Sequence, residues 1–228
     1  MVVVHLGPVL RRWLAIAAAC AVVVGLLRWG LAGQVGPSLS ASASGSAALA
    51  GEPVIALTVD APTGALIEPL TAALAAAGLP ATIFVSPGYA QAHSGPLATL
   101  AGQGDEIELL GEAPGGALKQ ASTVVTAATG QAPLFVRPAG STAASQELLA
   151  AAGALGLALV AAPPAVSSVG SILAGLKPGA VVDIPVGLSG EVPALAAGLR
   201  AKGYQAITIE ALTAMTAGAA ATSLPTIP

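Results

Sequence analysis

Beyond residue 52, short apolar runs alternate with longer stretches of helical composition; before it stands one long apolar run. Residues 54–59, 81–85, 106–110, 134–137, 157–161, 180–184 and 205–209 are predicted strands. Residues 65–77, 96–101, 116–128, 143–152, 169–176 and 192–201 are predicted helices, several closed by a glycine such as Gly78, Gly102 or Gly153. Strands alternating with helices of about ten residues imply βαβ units and a parallel sheet buried on both faces. The strand pattern suits a small, irregular β/α barrel or an open doubly wound sheet.

The long apolar run, residues 13–27, follows Arg11 and Arg12 and precedes Arg28 and Trp29. At about 15 residues it is short of a bilayer span, but Arg28 can snorkel and let flanking residues lengthen it. Trp13 and Trp29 stand where interfacial anchors stand, and the Arg pair favours an N-terminus inside. The expected organisation is a cytoplasmic N-terminus (1–12), a transmembrane signal anchor (13–32), a Ser/Ala/Gly-rich linker (33–52), a folded domain (53–215) and a C-terminal tail (216–228). A cleaved signal peptide, cut at Ala41-Ser42-Ala43 or Ala48-Leu49-Ala50, and a lipoprotein modified on Cys20 are the alternatives. All three readings export the domain, which places it outside the cytoplasm.

Composition removes several functions. Only 8% of the 228 residues are charged and the net charge is −3, with no basic stripe beyond the N-terminus, so nucleic-acid binding is not expected. With one cysteine there is no intrachain disulfide. His5 and His93 lie on opposite sides of the apolar run, so the domain holds one imidazole and cannot build a multi-histidine metal centre. No phosphate-binding Gly-rich loop follows a strand, and Ser141 and Ser145 lack His–Asp partners in any motif.

The order of local motifs resembles the NodB-like polysaccharide deacetylases (carbohydrate esterase family 4). Ile55-Ala56-Leu57-Thr58-Val59-Asp60-Ala61-Pro62 is similar to the opening strand, which usually ends Thr-Phe-Asp-Asp-Gly-Pro. Gly78-Leu79-Pro80-Ala81-Thr82-Ile83-Phe84-Val85 resembles the second strand, and Gly104-Asp105-Glu106-Ile107 stands where Gly-His-Glu-Ile is usual. Val136-Arg137-Pro138-Ala139-Gly140 is similar to Arg-Pro-Pro-Tyr-Gly, and Gly203-Tyr204-Gln205-Ala206-Ile207 to the closing strand.

This resemblance implies a distorted (β/α)7 barrel and carbohydrate deacetylation as the ancestral reaction. There a divalent metal such as zinc polarises the acetyl carbonyl and activates water while an aspartate acts as base. Asp60 keeps the base position and Arg137 the position of the arginine that orients it. The metal aspartate becomes Ala61, and the two ligand histidines fall on Leu110 and Pro114. The late histidine falls near Pro185, and Ala161-Ala162-Pro163-Pro164 replaces the aspartate motif after the fifth strand. No bound metal or other cofactor is therefore expected. The expected protein is a non-catalytic deacetylase-like domain that binds a cell-envelope glycan or an envelope protein. A divergent deacetylase using Asp60 with a rebuilt carboxylate metal site, and a structural domain without ligand, are the alternatives.

The remaining polar residues have plainer readings. Asp60 is expected as a helix cap or loop carboxylate when read without the resemblance, and Arg137 equally as an exposed arginine. Asp105, Glu106, Glu108 and Glu112 read as a solvated acidic edge, although Glu106 and Glu108 share one strand face and could bind a hard cation. Asp183 interrupts an apolar strand and is assigned no role.

Overall fold

The computed structural model describes residues 52–111, 116–140 and 144–222. The expected anchor, Cys20, Glu112, Pro114 and Ser141 lie outside them. Among the described residues, no helix is long and apolar enough to cross a membrane.

Seven parallel strands form one sheet: β1 (Val54–Ala61), β2 (Thr82–Val85), β3 (Glu106–Gly111), β4 (Phe135–Pro138), β5 (Ala158–Leu159), β6 (Ala180–Asp183) and β7 (Gln205–Ile207). The order is β5-β4-β3-β2-β1-β6, with β7 on the N-terminal half of β1. Each strand is followed by helix: α1 (Glu68–Ala77), α2 (Pro87–Ala92) and α3 (Ser94–Gly102), α4 (Gly116–Thr129), α5 (Gln146–Leu155), α6 (Val169–Gly175), and then α7 (Val192–Ala201) after a 3-10 turn. A final helix, α8 (Ile209–Thr222), follows β7.

β1 is central because nothing from Val54 to Val59 carries a charge that would resist burial on both sides. Ile55, Leu57, Val59 and Ala61 pack against the helices, together with Leu70 and Leu74 of α1. Val54 and Ala56 point the other way, into a second core with Phe84, Leu110, Phe135, Ile209 and Leu212. By strand alternation Thr58 and Asp60 share that second, concave face. α1 starts with Pro69 in its first turn and ends on Gly78, whose left-handed conformation (φ 67°) lets its N–H bond back to the last turn.

The seven expected strands are all present, but the curl does not close. Among the described residues β5 pairs with β4 alone and β6 with β1 alone. Between them lies a cavity of about 320 Å³, lined by Ala161, Pro163, Pro164, Ile172, Lys177 and Val182, among others. β5 is reduced to two residues because Pro163 and Pro164 soon after it cannot donate to a ladder. Helices α2 and α8 were not foreseen. Ser86 caps α2 by accepting the Tyr89 N–H at 3.1 Å, and Thr208 caps α8 by accepting the Ala211 N–H at 3.3 Å.

Candidate functional site

Asp60 stands one residue before the end of β1, and Thr58 two residues earlier on the same face. Parallel pairing puts Asp183, the last residue of β6, directly opposite Thr58. Arg137 comes from β4, three strands away from β1, and its side chain crosses the concave face to reach them. It crosses over Phe84 of β2, the guanidinium carbon lying 4.1 Å from the ring centroid.

One nitrogen carries the contacts. Arg137 Nη1 donates to Asp60 Oδ1 at 2.7 Å, Thr58 Oγ1 at 3.1 Å and Asp183 Oδ1 at 3.3 Å. Thr58 Oγ1 donates onward to Asp183 Oδ1 at 3.1 Å. The arginine is fully buried, while each aspartate side chain keeps 28% of its surface exposed. The cluster therefore shows solvent two carboxylates and hides the cation that holds them. Arg137 Nε and Nη2 are buried and, among the described residues, find no acceptor.

Two carboxylates on one guanidinium leave one negative charge uncompensated. Burial pushes the Asp60 carboxyl up, against the pull of Arg137. Burial, and then the Asp60 charge, push Asp183 up to about 6, with Arg137 and Thr58 opposing. The arrangement can accept hydrogen bonds at its mouth, and Asp183 can carry a proton at mildly acidic pH.

Asp60 is thus neither a helix cap nor a loop carboxylate, because Arg137 binds it from across the sheet; Arg137 is not on the surface. Asp183 and Thr58 join them. Only the threonine's place two residues before Asp60, and an aspartate inside an apolar strand, signalled this in the sequence. The acidic edge is also corrected. Glu108 is 3% exposed, and its Oε2 accepts the Leu134 and Phe135 N–H groups at 2.9 and 2.6 Å. Glu106 Oε2 accepts the Thr82 hydroxyl at 2.6 Å, so neither carboxyl faces open water. His93 stacks on Tyr89, ring centroids 4.1 Å apart, and its Nδ1 lies 3.1 Å from the Tyr89 carbonyl.

A divalent metal of the deacetylase kind does not fit these residues. Leu110 faces the concave side, beside Arg137, where a histidine would supply a ligand; it is 2% exposed and has no lone pair to offer. Ala61 points to the helix side, away from Asp60. Asp60 and Asp183 already share a guanidinium, and a second cation there would be repelled by it. Among the described residues, no three His, Cys, Asp or Glu side chains converge as a metal site.

No family model and no curated protein matches the sequence. Solved structures do. A family 4 carbohydrate esterase from Streptomyces lividans, in complex with acetate, superposes with a TM-score of 0.60 at 21% identity, over 71% of this chain and 95% of that one. The peptidoglycan deacetylase PdaC from Bacillus subtilis gives 0.60 at 19% identity, over 75% and 95%. A mutant of a family 4 pseudoenzyme with restored enzymatic activity gives 0.58 at 14% identity, over 71% and 68%. The parallel curled sheet, its motif order and these superpositions agree: the chain carries a domain of the NodB-like polysaccharide deacetylase fold.

Proposed function

We propose that this protein is a membrane-anchored, extracytoplasmic deacetylase-like domain that binds a cell-envelope glycan and does not catalyse metal-dependent deacetylation. The observation that carries this reading is the pairing of Leu110 with Arg137 on the concave face, an apolar side chain where a metal ligand would be needed. Without the metal, water activation and carbonyl polarisation are both lost, together several kcal/mol of transition-state stabilisation. What remains is a recognition surface: the half-exposed Asp60 and Asp183 carboxylates can accept hydrogen bonds from sugar hydroxyls. Neighbours of the same fold are peptidoglycan deacetylases, and one is a pseudoenzyme whose mutant regained activity. Both facts suit a glycan ligand and a lost reaction.

The rival reading is an active hydrolase with a carboxylate-built metal site. It has Asp183 beside Asp60 in its favour, and Arg137 at the centre of both against it. The experiment that separates them measures acetate release from acetylated chito-oligosaccharides with added zinc or cobalt, alongside the metal content of the purified protein. No release above background, with retention of the oligosaccharide or of peptidoglycan in a pull-down that Asp60→Ala and Asp183→Ala weaken, is the expected result. Metal-dependent release abolished by Asp60→Asn would overturn the non-catalytic reading.

The anchor rests on the Arg pair, the apolar run 13–27 and the linker that follows. A C-terminal alkaline phosphatase fusion is expected to be active in a bacterial host and the protein to sediment with membranes. An active cytoplasmic reporter at the same end, or a soluble product shortened behind residue 41, would contradict a retained anchor in that orientation.

A further inference from the structure

Glu106 and Glu108 stand two residues apart on β3 and reach into the concave core next to the first turn of α8. Each is tied down through one oxygen. Glu106 Oε2 accepts from Thr82 Oγ1 at 2.6 Å and from the Glu210 N–H at 3.2 Å, while Thr82 Oγ1 itself accepts the Ile209 N–H at 2.9 Å. Glu106 therefore holds the beginning of α8 directly and through Thr82. Glu108 Oε2 takes the Leu134 and Phe135 N–H groups at the entry to β4.

The other oxygen of Glu106, Oε1, is sealed from water and, among the described residues, meets no N–H or hydroxyl donor. Glu108 lies two residues on, on the same strand face, and the charge of Glu106 pushes its carboxyl further up. Two ionised carboxylates only accept, so the buried Oε1 of Glu106 gains a donor from its neighbour only if a carboxyl proton lies between them. We propose that Glu106 and Glu108 share one proton, and that this carboxyl–carboxylate bond clamps the N-terminus of α8 onto the concave face and lets it go when the proton leaves.

Nothing nearby replaces that proton. β2 contributes the neutral Thr82, β1 the apolar Val54 and Ala56, and β4 two backbone amides and Arg137, whose guanidinium lies over Phe84 and pairs with Asp60 and Asp183 instead. α8 brings Glu210, whose charge adds to the negative field at Glu106. Among the described residues, no Lys, Arg or His forms an ion pair with either glutamate. Burial accordingly pushes Glu106 up to about 7 and Glu108 well above the usual carboxylate range. A carboxyl raised in the folded state favours folding most below its unfolded pKa and loses that advantage as pH climbs through the folded one. Release therefore belongs to the alkaline side. It would reach the candidate site, because Ile209 and Leu212 pack with Phe84, on which Arg137 rests.

Hydrogen exchange on the full-length chain in detergent, corrected for intrinsic rates, tests this in peptides covering residues 209–217. Protection is expected to fall by about tenfold or more between pH 6 and pH 9, one decade for each pKa unit crossed. Glu108→Gln supplies a permanent N–H in place of the proton and keeps an oxygen for β4. Its α8 protection should be equal at both pH values. Unchanged protection in the unaltered protein, or the same pH response in Glu108→Gln, overturns the clamp. A carboxyl-carbon NMR titration of the unaltered protein labelled in glutamate gives a second reading that needs no variant. One glutamate must titrate at or above neutrality, and a set all within the ordinary carboxylate range overturns the shared proton.

Discussion

Arg137→Met is expected to cost the domain about 3–5 kcal/mol at pH 8, the range for removing one partner of a buried ion pair. Methionine keeps an apolar stem against Phe84, so the loss is chiefly one of charge. Without the guanidinium, Asp60, Asp183 and the Thr58 hydroxyl lose the donor that holds them together. Their 28% exposure lets water answer part of the repulsion, which places the expected cost at the lower end of the range. The sign with pH follows from the direction of the shifts. Both aspartates already sit above their ordinary range, and without Arg137 they rise further. The penalty is then full above the folded pKa values and vanishes below about pH 4, where the unfolded aspartates are also protonated. Urea denaturation at pH 8 and pH 5 measures it. Adding Asp183→Asn should recover part of the loss at pH 8 and little at pH 5. A variant as stable as the parent at pH 8 would mean that Arg137 does not neutralise this cluster.

Phe84→Ala is expected to destabilise the domain by about 3–5 kcal/mol, as buried Phe truncations do. The ring is fully buried in the concave core among Leu110, Phe135, Ile209 and Leu212. It is also the platform for the guanidinium, a contact that contributes about 0.5–2 kcal/mol. Phe84→Leu should cost distinctly less, since most of the volume is kept. Glycan retention supplies the functional arm, because a guanidinium without its platform no longer fixes Asp60 and Asp183. A Phe84→Leu protein that stays folded should bind the glycan more weakly than the parent. Equal retention would show that Arg137 is positioned by its ion pairs alone.

Much of the fold was legible before the structure because it depends on neighbours in the chain. The run from Val54 to Val59 has no charge to keep either face in water, so a strand buried on both sides was its natural state. Gly78 ended α1 because a residue without a Cβ takes the left-handed turn without strain. The motif order pointed to the deacetylase architecture, and the superpositions agree with it at the level of the fold.

The site was different, because its members are far apart in sequence. Arg137 lies 77 residues from Asp60 and 46 from Asp183. A period of two showed that Thr58 and Asp60 share a face, and that Glu106 and Glu108 do. It could not show which strand lies opposite, or whether anything covers that face. Register decided the first: β6 pairs with β1 so that Asp183 meets Thr58. α8 decided the second, packing Ile209 and Leu212 into the concave core and bonding to Glu106, which turned an expected wet acidic edge into a buried carboxyl pair. The chain alone showed where the seven strands and most helices lie, α2 and α8 excepted, since that rests on local sterics and spacing. Only the tertiary arrangement decides which polar groups lose their water, and with it which of them exchange protons.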